Sequence, residues 1–284
     1  MNILEKFKNM SEEEANAYLE SFYSCSHNCS TCGYPVCVNS RAASAPRTKK
    51  PAKKVIAVIS GKGGTGKTVM TVLLAKALKK RGLKAGILDA DIVNSGVPHL
   101  LGMKEPVLGD MPSLVPIKSP GGIPVISMAL ISEDPKEPII WPGIDTAKAA
   151  VFLFTQSQWG EELDVLLVDM PTGAGDIPLE YYTTMPFDCS LCVAIPGEAA
   201  AMPVRRAVNL AEMLYVPVMG IVENFAEKDF TLSEVFSDIP VVASVPYDAA
   251  LRKAADEGTL ESYETEAFDF LARAIGESLQ PEVN

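Results

Sequence analysis

Eight residues, Gly61-Lys62-Gly63-Gly64-Thr65-Gly66-Lys67-Thr68, combine four glycines with two lysines and two hydroxyls. They follow an apolar run, Val55 to Ile59, and open an amphipathic stretch, which is the context a G-x-x-x-x-G-K-[ST] phosphate-binding loop requires. Glycine-rich backbone at a helix N-terminus presents N–H groups to an anion. Lys67 is placed to reach the β- and γ-phosphates of ATP, and Thr68 to hold Mg²⁺. Lys62 adds a second cation within the loop. Three carboxylates could complete the chemistry. Asp89 and Asp91 end the apolar run Ala85 to Leu88, and Asp169 ends Val165 to Val168. Carboxylates at the carboxyl ends of buried strands sit where open α/β sheets place ligands, and strand alternation sends Asp89 and Asp91 to the same side. An apolar strand closing in Asp is the form that orders a Mg²⁺ hydration shell.

A second group of reactive side chains lies far upstream. Cys25, Cys29, Cys32 and Cys37 fall within 13 residues, a set that suits an iron–sulfur cluster or tetrahedral zinc. His27 lies inside the set as a further candidate ligand. Cys189 and Cys192 sit three apart on an apolar strand, so their side chains should leave on opposite faces. They read as buried, hydrophobe-like thiols rather than a chelating pair.

The elements that position these groups follow from periodicity. Strands are expected at 55–60, 85–89, 123–128, 164–169, 189–195, 217–222 and 239–245, alternating with helices. The helix after the phosphate loop should stop near Gly82. Near-continuous apolar strands in this alternation imply an α/β fold with a mostly parallel, doubly wound sheet covered on both faces. The expected division is a small helical, cysteine-rich module at 1–38, a small, polar, basic linker at 39–53, and an ATPase domain at 54–284.

Composition narrows the function classes. The net charge of −11 in 284 residues argues against nucleic acid as the main partner. No apolar run approaches the length of a membrane span, and Met1 to Lys6 lacks an apolar signal core. A cytoplasmic protein without stable membrane insertion is expected, and six cysteines there suggest metal or redox chemistry before disulfides.

Several segments carry a resemblance. The loop with its early lysine resembles the deviant Walker A motif of MinD/ParA-class P-loop ATPases. Asp169 to Asp176, Asp91 to Pro98, Pro138 to Gly143, Gly220 to Asn224 and Val245 to Asp248 resemble motifs of the Mrp/ApbC family, in register over roughly residues 54–280. The resemblance implies a homodimeric ATPase that carries or assembles iron–sulfur clusters and passes them to apo-proteins. It implies that Lys62 crosses the dimer to the partner's phosphates and that Asp91 orients the attacking water. It also implies that Asp89 approaches Mg²⁺ through water and Asn224 contacts adenine. The family's C-P-x-C pair after Gly220 to Asn224 is missing here, where Phe225 to Leu232 follow. Asn28 to Cys37 resembles a segment of small four-cysteine [4Fe-4S] domains, whose fourth ligand lies well downstream. Either Cys25 takes that place or the site is open. An ATP-gated iron–sulfur electron donor is the alternative function.

Overall fold

The computed structural model describes residues 48–103, 114–131, 140, 143–160, 163–227 and 229–280. All of them lie in one unit, Pro46–Asn284. The helices expected before residue 24, the cysteines at 25, 29, 32 and 37, and His27 lie outside the described residues, as does most of the linker.

Seven strands form where the apolar runs predict them. They are β1 (Lys54–Ile59), β2 (Ala85–Asp89), β4 (Pro124–Ser127), β5 (Val165–Asp169), β6 (Cys189–Ala194), β7 (Val218–Ala226) and β8 (Val241–Pro246). A two-residue edge strand, β3 (Ile117–Lys118), gives too short an apolar pattern to be read from sequence. The sheet runs β3-β4-β2-β5-β1-β6-β7-β8, and all pairs are parallel except β3–β4. Val55, Ile56, Ala57 and Val58 on central β1 are wholly buried, as a doubly covered parallel strand requires.

Seven helices flank the described sheet. They are α1 (Lys67–Lys80), α2 (Val97–Leu100), α3 (Gly143–Gln156), α4 (Asp176–Thr184), α5 (Glu198–Met213), α6 (Ala249–Glu257) and α7 (Asp269–Glu277). α1 packs Met70, Leu73, Leu74 and Leu78 into a core that includes Ile56, Val58, Ile87, Leu167, Leu191 and Val193 on one face of the sheet, together with Leu271 and Ile275 of α7. α1 ends as expected. Arg81 is the C-cap, Gly82 takes a left-handed φ of 80°, and Lys79 and Lys80 sit at the negative end of the helix dipole.

Strand parity settles the β6 cysteines. Cys189 lies with Leu191 and Val193 in the α1-side core, whereas Cys192, wholly buried, falls on the opposite parity. Both are free. Burial pushes the Cys189 thiol up to about 11 and the Cys192 thiol up to about 12. Neutral, enclosed thiols are poor nucleophiles. Alkylation of the native protein with iodoacetamide at about pH 8, read by peptide mass spectrometry, should label neither, whereas denatured chain should label both. The unfolded thiols ionise nearer pH 9 and bind fewer protons than the folded ones above it. Folding stability should therefore fall as pH rises past about 9. Rapid native labelling at either position would contradict this placement.

Candidate functional site

β1 delivers the chain into the loop Gly61–Lys67, and Gly66, at φ 79°, N-caps α1. Two glycines are required by space. A Cβ on Gly61 would fall on the backbone of Pro203 and Val204 in α5, and one on Gly66 would meet Asn224 Nδ2. The loop thus lies directly against α5 and β7. Asn224, 3% exposed, donates its Nδ2 to the Thr65 carbonyl at 2.8 Å and so pins the loop from the end of β7. Gly173 N donates to the Ser60 carbonyl at 2.9 Å, tying the glycine-rich turn after β5 to the loop's entry.

Asp169 is the hub of the site. Lys67 Nζ lies 2.7 Å from Asp169 Oδ2, with side-chain exposures of 5% and 1%. Thr68 Oγ1 donates to Oδ2 and Thr71 Oγ1 to Oδ1, both at 2.8 Å. Thr71, one helical turn beyond Lys67, also donates to the Lys67 carbonyl at 3.0 Å. Asp89 stands beside this hub, since β2 and β5 pair Asp89 directly with Asp169. Asp89 Oδ2 accepts from Val97 N at 3.2 Å and Ser127 Oγ at 2.9 Å. Burial, and then the Asp169 charge, raise Asp89 to about 8. Two buried carboxylates therefore stand beside one lysine, whose charge opposes the upward push on Asp89.

Asp91 departs from the alternation argument. β2 ends at Asp89, and Asp91 (φ −82°, ψ 75°) caps a 3₁₀ turn, Ile92–Asn94, accepting from Asn94 N at 3.3 Å and Nδ2 at 3.2 Å. Its position is set by that turn rather than by strand parity. Partial burial raises its carboxyl. Buried Tyr181 of α4 donates to the Ala90 carbonyl at 2.9 Å, fixing the backbone between the two aspartates. Lys62, half-buried, makes no ion pair among the described residues. Asp176 is exposed at the start of α4.

Among the described residues, three of the four buried side-chain polar atoms left without hydrogen-bond partners cluster here: Thr65 Oγ1, Lys67 Nζ and Asp89 Oδ1. Lys67 Nζ is close to Asp169 but outside hydrogen-bonding alignment, so its donors remain available. Unsatisfied donors around a backbone cradle fit phosphate, and an orphaned carboxylate oxygen beside Asp169 and Thr68 fits hydrated Mg²⁺. Among the described residues no three His, Cys, Asp or Glu side chains are placed to ligate a metal directly.

Sequence reasoning did not find Thr71, Ser127 or Tyr181. Thr71 lies at i+4 from Lys67, a spacing that could have revealed it. Ser127 and Tyr181 reach the site through the tertiary fold, and no local pattern marks them. Pro138 to Gly143 falls largely outside the described residues.

A family model described as NUBPL iron-transfer P-loop NTPase, within the ParA group, matches residues 51–277. A Clostridium perfringens protein named iron-sulfur cluster carrier protein is 35% identical over 236 residues, spanning 75% of this chain and 83% of its own. A protein of that name from Methanococcus maripaludis is 31% identical over 287 residues, spanning 91% and 99%. Among solved structures, a nucleotide-binding protein from Archaeoglobus fulgidus in complex with ADP superposes with a TM-score of 0.64 at 30% identity, covering 82% of this chain and 95% of that one. The Pyrococcus furiosus cell division ATPase MinD superposes with a TM-score of 0.60 at 20% identity, covering 80% and 99%, and supports the fold alone. No helix among the described residues is long and apolar enough to cross a membrane.

Proposed function

We infer the function from one premise: this chain belongs to the family of NUBPL iron-transfer P-loop NTPases. It is an ATPase and an iron–sulfur cluster carrier. The observation that carries the ATPase chemistry is the Lys67–Asp169 pair, buried beside two orphaned oxygens at the mouth of a glycine-rich loop.

The finer assignments are ours. The loop backbone from Gly61 to Thr68, including Gly63 and Gly64, cradles the phosphates, and Lys67 turns from Asp169 to the β/γ-oxygens. Thr68, Asp169 and Asp89 would hold Mg²⁺, Asp89 through water. When bound, Mg²⁺ supplies charge neutralisation across the β- and γ-phosphates. Asp91 orients the attacking water, and Asn224 gives up its hold on Thr65 to meet adenine. Lys62 acts across a homodimer on the partner's γ-phosphate. The cargo is a [4Fe-4S] cluster held by Cys25, Cys29, Cys32 and Cys37 of a module at 1–38, joined by a linker at 39–53 to the ATPase domain at 54–284. It passes to cytoplasmic apo-proteins.

Two substitutions separate binding from turnover. Lys62→Ala should leave MgATP affinity within about twofold and cut turnover by roughly 10³-fold, the scale of an arginine finger. Asp91→Asn preserves shape but weakens acceptance from the lytic water, so turnover should fall by at least ~10²-fold with ATP still bound. Wild-type turnover in either would remove that residue from the mechanism. The carrier reading is tested by incubating anaerobically reconstituted protein with apo-ferredoxin and ATP. Cluster appearing on the acceptor supports it, whereas a retained cluster whose potential shifts with nucleotide would make the protein an electron donor instead.

A further inference from the structure

Asp169 is held by both of its carboxylate oxygens, and the two holds differ in kind. On the Oδ2 side stand Thr68 Oγ1 at 2.8 Å and Lys67 Nζ at 2.7 Å. These are the groups that nucleotide and metal would claim. Under the assignments above, Lys67 turns to the β/γ-oxygens and the Thr68 oxygen offers a lone pair to Mg²⁺. On the Oδ1 side stands Thr71 Oγ1 at 2.8 Å, which among the described residues is the hydrogen-bond partner of that oxygen. Thr71 is wholly buried in α1, one turn beyond Lys67 and about 6 Å further from the loop along the helix axis.

The Thr71 hydroxyl has one proton and two acceptors within reach, Asp169 Oδ1 and the Lys67 carbonyl at 3.0 Å. In a regular helix the Lys67 carbonyl already accepts the Thr71 N–H. Asp169 is 1% exposed, and an ionised carboxylate can only accept. The proton therefore belongs to Asp169, in a charge-assisted bond. Nothing else in α1 calls for a hydroxyl here. Its neighbours Met70, Val72, Leu74 and Ala75 are buried and apolar, and a β-branched residue lowers helix propensity.

We propose that Thr71 is a positioning residue for the metal. It anchors Oδ1 to α1 while Oδ2 exchanges Lys67 for the charge of MgATP, so Asp169 meets the metal without reorganising. Without that hydroxyl a buried oxygen is orphaned, and the carboxylate can turn about χ2 to seek another donor. The proposal rests on the metal assignment made above for Thr68 and Asp169.

The test is the calorimetric affinity of the full chain for ATP with Mg²⁺ and for ATP in EDTA. The ratio of the two measures what the metal contributes, and in the wild type it should favour MgATP. Thr71→Val keeps the shape and removes the hydroxyl. It should reduce that ratio at least about tenfold, the scale of a hydrogen bond to a charged group. Thr71→Ser restores the donor and should stay within about threefold of wild type. Thr71→Ala removes the same hydroxyl with a better helix former, so the test does not hang on Thr71→Val folding. An undiminished ratio in a folded Thr71→Val or Thr71→Ala overturns the proposal. So does an equal loss of both affinities, which is what a merely structural role would give, or a Thr71→Ser no better than Thr71→Val. A wild-type ratio near one instead overturns the metal assignment itself, and this proposal with it.

Discussion

Lys67→Ala is expected to lose MgATP binding outright, by at least ~10³-fold in affinity, and all hydrolysis with it. The structure adds a consequence for the nucleotide-free protein. Lys67 is the cation beside two buried carboxylates, Asp169 at 2.7 Å and Asp89 on the neighbouring strand. Removing one member of a buried pair leaves an uncompensated charge, at a cost of about 3–5 kcal/mol. The carboxylates can relieve this by binding a proton, since Asp89 already stands at about 8 with the lysine present. Losing the lysine removes a charge that lowers Asp89, so the folded variant would bind more protons than the unfolded chain from roughly pH 4 to beyond pH 8, and its stability should fall as pH rises through that window. Thermal unfolding of apo Lys67→Ala at about pH 5.5 and pH 8 should show the higher Tm at the lower pH, with a wider gap than wild type. Retained nucleotide binding by equilibrium dialysis would displace Lys67 from its phosphate role. An unchanged pH profile would show that the carboxylates do not rely on it.

Replacing Cys29 and Cys32 together by serine should abolish iron content and the visible absorbance of the reconstituted protein. A hard, weakly acidic hydroxyl is a far poorer ligand than a thiolate for an iron–sulfur cluster, and two such losses leave the cluster without half its set. The ATPase chemistry is assembled from residues between Gly61 and Asn224, and the described domain has its own closed core, so MgATP binding should stay within about twofold of wild type. Cluster delivery to apo-ferredoxin should cease. Cys189 and Cys192 supply the contrast. They face opposite sides of β6, one in each layer, and cannot converge on a metal without unpairing the strand. Their replacement by alanine should keep the iron and cost stability through lost packing, about 1–2 kcal/mol if both cavities stay open. Iron lost from the Cys189/Cys192 variant but retained in Cys29/Cys32→Ser would place the cluster elsewhere.

The central strands were legible because burial on both faces leaves little choice of residue. Val165 to Val168 closing in Asp is a weak signal alone and gains its meaning from the glycine-rich turn Met170 to Asp176 that follows, and the phosphate loop is specified by backbone space at Gly61 and Gly66. β3 was not legible, because two residues on an antiparallel edge carry no periodicity. Asp91 was singled out by type and spacing, but the alternation rule does not reach it. The strand stops two residues earlier, where Asp89 turns inward to Val97 N and Ser127 Oγ, and a capped 3₁₀ turn takes over. Tyr181 and Ser127 hold the aspartate segment from α4 and β4, and their relation to it exists only once the sheet order is known.

Asp89 and Asp169 occupy facing positions of one parallel ladder. Their separation is thus a property of strand register, and no choice of rotamer elsewhere can restore it once the ladder slips. One residue gained or lost within β2 or β5 would bring Leu88 or Ala90, or Val168 or Met170, opposite the remaining aspartate and turn the other carboxylate out of line. The turns feeding the amino ends of these strands carry no such constraint, since added length there leaves the ladder unshifted. Insertions and deletions among relatives should therefore collect at the end of the sheet away from the phosphate loop. The segments between Ala85 and Asp89 and between Val165 and Asp169 should keep one fixed length.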